Sequence, residues 1–271
     1  MRLRIEHVTE YLYTEKVYLE PHYLQLYPQS RSYYQVDRHD ISITPATTGL
    51  SKRLDLENNL VGQCWFQEAV DQFTVTSLLE VTVIPFNPFD FLVDTDYTGQ
   101  NPYSFFLETP EDLSADFTEW LESVQEVDGT DPLRFSIALN EAIHAGWSHE
   151  IRKTPNIMSS SECFEYKRGS CRDLTWMMMM GLRYAQIPSR FVSGYAFNPE
   201  LGTGHELHAW VEAGLPGAGW IGLDPSSGLL CDETYIPMHA SHHPKNTLPV
   251  IGNYRGDAES TLSTKVLIRQ L

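Results

Sequence analysis

Cys171 is the residue with the most chemistry to offer. It follows Gly169-Ser170 and opens the run CRDLTWMMMMGLRYAQ. That run reads as a helix apolar nearly all round, and so buried on most sides. Ser170 and Asp173 have the S-x-x-D capping spacing, which makes Ser170 the expected N-cap. Unpaired N–H groups and the helix dipole favour an anion at a helix start. A thiol placed there can titrate below its free value of about 8.5. The same N–H groups can hold the oxyanion formed when a thiolate attacks a carbonyl. Taken alone, a cysteine at a helix start can equally be inert core.

A nucleophilic thiol needs a base, and the base needs a partner that orients it. His208 lies in LHAWVEA. Read as a strand, this run puts Leu207, Ala209, Val211 and Ala213 on one face, the core side. His208, Trp210 and Glu212 share the other face, which could line a cleft. Asp224 ends GWIGLDP, where Trp220 and Asp224 oppose Ile221 and Leu223. A hairpin of residues 206–213 with residues 219–224 would bring Asp224 and His208 to one surface. Each residue also has an ordinary reading, an exposed strand histidine and an aspartate opening a turn before Pro225. Together they fit a nucleophile, a base and an orienter.

Other groups carry less. His205-Glu206-Leu207-His208 is H-E-x-H, one residue short of the zinc-protease spacing that puts two histidines on one helix face. His239, His242 and His243 are expected in a solvated loop. Met177 to Met180 read as core packing beside the thiol. Cys64, Cys163 and Cys231 read as buried or incidental, and no C-x-x-C pair suggests structural zinc.

The elements that must position these residues fall into two groups. The first part of the chain is strand-like: alternation at Arg2 to His7, short runs at 23–27 and 40–44, and the β-branched run 73–84, each of the last three ending at a proline. The Asn pair at 58–59 suggests a hairpin within 54–70. Residues 85–110 carry four prolines and no period. They form the expected connection, with aromatics that should pack. Thr109-Pro110-Glu111-Asp112 reads as a helix start and Asp131-Pro132 as a second. After the Cys171 helix, strands are expected at 190–197, 206–213, 219–224 and 264–269. The pattern is α+β: a β-rich N-terminal domain over 1–100, then helices packed on an antiparallel sheet over 101–271.

Composition bounds the function. The chain has 271 residues, 42% of them hydrophobic, with 36 Asp plus Glu against 19 Lys plus Arg, a net charge of −17. A nucleic-acid binder needs the opposite balance, and so does docking on an anionic membrane. Four cysteines are too few for a disulfide framework. The alternating N-terminus shows no signal-peptide core, so a cytoplasmic protein with reduced thiols is expected.

The ordered runs GSCRD (169–173), IPSRFVSGY (187–195), HAWVE (208–212), LPGAGW (215–220) and Asp224-Pro225 resemble the bacterial transglutaminase-like proteins of the papain-like cysteine hydrolase superfamily. The resemblance spans residues 160–256, and the strands from Arg2 resemble the β-rich domain that precedes the catalytic domain in this family. It implies Cys171 as nucleophile, His208 as base and Asp224 as the orienting residue. It also implies a tryptophan near the thiol, as second oxyanion donor or cleft wall, for which Trp147, Trp176 and Trp210 are candidates. No cofactor or metal is implied. The partner implied is a peptide or protein substrate with an amide group. Hydrolysis of peptide or isopeptide bonds is the favoured outcome. Transfer from glutamine to an amine, or a non-catalytic binding role on the same fold, are the alternatives. Two serines, Ser226 and Ser227, follow Asp224-Pro225 where the family often has Thr or Asn.

Overall fold

A computed structural model describes residues 1–94, 104–128, 131–152, 156–201 and 206–271. The chain opens with β1 (Arg2–Leu19), β2 (His22–Leu24), β3 (Tyr34–Thr44), β4 (Gly49–Leu54), β5 (Leu60–Trp65) and β6 (Val70–Val83). Helices follow: α1 (Ala115–Asp128), α2 (Pro132–Gly146), the two-residue β7 (Ser148–His149), α3 (Ser160–Tyr166), β8 (Arg168–Gly169) and α4 (Cys171–Tyr184). The rest is β9 (Ser189–Ala196), β10 (His208–Leu215), β11 (Gly219–Asp224), β12 (Leu229–Leu230), β13 (Tyr235–Ser241), β14 (Val250–Ile251), β15 (Tyr254–Arg255) and β16 (Ser260–Gln270). The architecture is the expected α+β one.

β1 alternates as its sequence predicts, with Leu3, Ile5, His7 and Thr9 buried. Its partner β6 sets Leu3 opposite Val81 and Ile5 opposite Leu79. β3 joins the far side of β6. β16 pairs along the other side of β1, Ile5 opposite Ile268, so the C-terminal strand returns to the first sheet. A second sheet has the order β14-β2-β5-β4. Its β4–β5 hairpin turns at Asn58 with a left-handed φ of 63°, the conformation that asparagine tolerates.

The third sheet, order β12-β11-β10-β9-β13, positions the chemistry. One face takes the helices: Ala209, Val211 and Ala213 pack with Phe117, Leu139, Ile143 and the four methionines of α4. The other face meets the first sheet, where Tyr195, Ile236 and Met238 share a core with Leu3, Ile5, Leu79 and Ile268. The β-rich part is thus packed directly onto the back of the third sheet.

Three expectations change. Thr109–Asp112 does not start α1, which begins at Ala115. Glu111 accepts instead from the Ser160 N–H (2.7 Å) at the start of α3, so its charge serves another helix N-terminus. His239 is not in a solvated loop: it is buried in β13, while His242 and His243 lie half-buried in the bend that follows. Leu207 lies outside β10 and packs toward the first sheet rather than the helices. The connection after β6 packs as its aromatics suggest where it is described, with Phe91 and Val93 against the helical core. Residues 95–103 of that connection, and His205 of the H-E-x-H run, lie outside the described residues.

Candidate active site

Cys171 is the first residue of α4. The turn before it is fixed by Asp173, which is fully buried. Its Oδ2 accepts from the Ser170 N–H (2.8 Å), the Ser170 hydroxyl (2.6 Å) and Arg152 (2.6 Å), and its Oδ1 from the Met158 N–H (2.8 Å). Ser170 is the N-cap by position, but its hydroxyl donates to Asp173. Burial alone would raise the Asp173 carboxyl, and Arg152, Ser170 and Met158 outweigh it and hold it low. Gly169 is needed there. A Cβ would lie 2.8 Å from Asp173 Cβ and 3.1 Å from Cys163 Sγ.

Two short parallel strands bring a further residue to the thiol. β7 and β8 pair His149 with Gly169, locked by Ser148 N–H to Lys167 O and Glu150 N–H to Gly169 O, each 2.9 Å. His149 therefore stands beside Cys171, exposed and close enough to interact with the thiol. Sequence reading missed it. The signal was faint, because a two-residue strand has no period to detect.

His208 opens β10, opposite Gly194 on β9. Its Nε2 lies 2.8 Å from Asp224 Oδ2, which leaves Nδ1 for the thiol. Asp224 is buried at the end of β11 and saturated with donors. Tyr235 O–H donates to Oδ2 (2.8 Å), while the Ser226 N–H (2.9 Å) and hydroxyl (2.6 Å) donate to Oδ1. The serine that departs from the family's usual residue therefore holds the aspartate.

The electrostatics separate the four cysteines. Burial would raise the Cys171 thiol. His149 and His208, the charge of His208 and the Ala209 N–H reverse this and bring it down to about 6. Burial would lower His208, but the Asp224 charge and hydrogen bond, with the thiol, raise it well above 6.5. Burial would raise Asp224; His208, Ser226 and Tyr235 hold it far below the usual carboxylate range. His149 is raised, chiefly by its interaction with Cys171. Burial pushes Cys64 up to about 11, Cys163 up to about 12 and Cys231 far up.

The tryptophans fall elsewhere. The Trp147 indole N–H donates to the Cys163 carbonyl (2.9 Å), and Lys167 Nζ sits 3.7 Å over its ring. It is a buried brace under β7, not a free oxyanion donor. Trp176 is buried with its ring against His243 (5.4 Å). Trp210 is 1% exposed and packs with Val192, Cys231 and Tyr235. The His208 face of β10 alternates as predicted, but beyond His208 it is covered: Glu212 is buried between Arg190 (2.6 Å) and Arg31 (2.8 Å) of the β-rich part.

This is a helix-borne thiol facing a strand-borne histidine–aspartate pair, on an α+β frame. The matching family models give it a name: the bacterial transglutaminase-like N-terminal region over residues 3–82 and the transglutaminase-like superfamily over residues 123–225. The chain is a transglutaminase-like protein carrying the bacterial type of N-terminal region. It is 32% identical to an uncharacterized protein of Mycobacterium leprae over 110 residues, 38% of each chain. It is 37% identical over 70 residues to a protein-glutamine gamma-glutamyltransferase of Pseudomonas aeruginosa, 23% of this chain and 10% of that one. The chain thus spans well under half of these relatives' lengths. A solved structure from Cytophaga hutchinsonii, described as a "Putative Cysteine Protease", superposes over 100% of this chain and 91% of its own, with a TM-score of 0.72 at 14% identity. That likeness is one of fold. No helix among the described residues is long and apolar enough to cross a membrane.

Proposed function

We propose that this protein is a thiol-dependent amidase or peptidase in which Cys171 is the nucleophile, His208 the acid and base, and Asp224 the residue that orients His208. The observation that carries the reading is the 2.8 Å His208–Asp224 bond beside the one thiol that is drawn down. The other three are pushed up.

The Cys171 thiolate attacks an amide carbonyl carbon. The carbonyl π pair moves to oxygen, where N–H groups at the start of α4 can receive the charge. As the tetrahedral species collapses, the C–N bond breaks and His208 gives its proton to the leaving amine. Water, losing a proton to His208, then opens the thioester to a free acid and restores the thiol. Asp224 stabilises the imidazolium formed along the way and keeps its tautomer. His149 adds a second imidazole beside the thiolate. The substrate class is a peptide or protein amide, and a reducing compartment such as the cytoplasm suits the free thiolate.

An amine in place of water would give transamidation through the same thioester. The Pseudomonas relative named a glutamyltransferase favours that second reading. The test is a glutamine-containing peptide library, with and without a primary amine. Release of free acid and amine that is lost in Cys171→Ala is the expected result. Amine incorporation outpacing acid release would select the transferase. No turnover of any amide would overturn both.

A further inference from the structure

We propose that Asn140 and His144 of α2 are positioning residues for Asp224: they hold the turn at residues 225–228, and through it the Ser226 donors that fix the carboxylate against His208. Its bearing on turnover rests on the reading of Cys171, His208 and Asp224 as a catalytic unit.

The two residues stand four apart on α2 and so share one face of the helix. Asn140 Nδ2 donates to the Leu229 carbonyl (3.3 Å), just after the turn. His144 Nδ1 lies 3.1 Å from the Ser226 carbonyl, within the turn. A carbonyl oxygen only accepts, so Nδ1 carries the proton there. The contact with His144 is close as well as polar. Gly228 has a left-handed φ of 73°, and a Cβ there would lie 2.9 Å from His144 Cγ. Glycine suits the position on both counts.

The turn also has bonds of its own. The Asp224 carbonyl accepts from the Ser227 N–H (3.2 Å) and the Gly228 N–H (2.8 Å). Those bonds fix the shape of the turn; Asn140 and His144 fix it to the helical layer. Its tilt decides where Ser226 points. Ser226 gives its N–H (2.9 Å) and its hydroxyl (2.6 Å) to Asp224 Oδ1, while Oδ2 meets Tyr235 and His208. Ser226 is thus gripped from both sides, its carbonyl by His144 and its donors by Asp224. If the turn swung away from α2, Oδ1 would lose two donors and the carboxylate could rotate off the imidazole. A charge-assisted bond depends on that geometry.

The experiment compares the full chain with His144→Leu and His144→Asn. His144 is exposed, so both variants should fold. Leucine fills the space without a donor, whereas the asparagine amide offers an N–H where Nδ1 stood. NMR follows the His208 ring against pH, and steady-state kinetics follow amide turnover. In His144→Leu the His208 midpoint should fall by about one pH unit, as its carboxylate partner is less well placed. The kcat should fall roughly tenfold, the effect of one hydrogen bond, with KM within about twofold. His144→Asn should return most of both. An unmoved or raised His208 midpoint in His144→Leu would overturn the proposal, because a mere packing role would leave that midpoint where it was. An asparagine variant no better than the leucine one would also overturn it. Should His144→Leu not fold, His144→Ala gives the same readout. Absence of amide turnover in the parent would count against the catalytic reading instead, and the His208 midpoint would still decide whether α2 holds the pair.

Discussion

His208 and Asp224 stand sixteen residues apart in the chain and 2.8 Å apart in the fold, the imidazole Nε2 against the carboxylate Oδ2. β10 and β11 set that distance, because their register pairs Val211 with Leu223 and carries both residues to the same end of the sheet. Tyr235 from β13 and Ser226 from the turn after β11 then close the remaining sites on the carboxylate.

Replacing Asp224 by Asn should remove the anion that keeps His208 high and correctly tautomerised. Amide turnover is expected to fall by about 10³- to 10⁴-fold. Tyr235→Phe removes one of several donors and should cost about tenfold or less. Steady-state kinetics of the two variants check the order. Equal losses would contradict the view that Tyr235 only supports Asp224.

His149→Ala should move the pH midpoint of Cys171 alkylation upward from about 6. His149 supplies one of the two imidazoles at the thiol, and a nearby cation shifts a thiol by about one unit or more. His208 should hold the midpoint below that of a free thiol. The rate of iodoacetamide labelling against pH reads this directly. An unmoved midpoint would show that His149 has no electrostatic hold on the thiol.

Asp173 anchors the turn before the thiol, and its effect has a definite sign. Its folded carboxyl is depressed. The stability it contributes is therefore present above the unfolded value near 4 and lost as pH falls through the folded value. Urea unfolding should find Asp173→Asn less stable at pH 7 by about 2 kcal/mol, through weakened charge-assisted bonds. It should also show a flatter decline below pH 4 than the parent. A parallel decline would place the acid sensitivity elsewhere.

Arg31 and Glu212 join the β-rich part to the third sheet. Arg31→Ala leaves Glu212 buried with Arg190 alone, and a loss of about 2–4 kcal/mol is expected. Arg31→Ala combined with Glu212→Gln should cost less than the sum of the two single losses, because both remove the same Arg31–Glu212 pair, while Arg190 is left against a neutral amide. Thermal unfolding of the single and double variants checks the coupling. Strictly additive losses would contradict it.

How much of the fold and site was legible depended on the length scale of each signal. β1, β6 and α4 were plain, because alternation sustained over many residues fits a strand and unbroken apolarity over many residues fits a buried element. The GSCRD, HAWVE and Asp224-Pro225 runs identified the family in a similar way, as ordered local patterns. The tryptophans could not be read like this. Whether Trp147 donates to a substrate or to the Cys163 carbonyl depends on a tertiary contact across sixteen residues. His239 was misjudged because polar, histidine-rich residues signal solvent, yet the β-rich part covers β13 and Asp55 faces the ring. His149 required β7 and β8 to meet, and four residues of strand leave no trace in periodicity.

Everything proposed for catalysis turns on Cys171 being singled out as a thiolate by His208. The rate of iodoacetamide labelling at each of the four cysteines at pH 7, in the parent and in His208→Ala, measures this. Cys171 is predicted to react at least tenfold faster than Cys64, Cys163 and Cys231, and to lose most of that lead in His208→Ala. Equal labelling of all four thiols, unchanged by the His208 substitution, would show that no such thiolate exists.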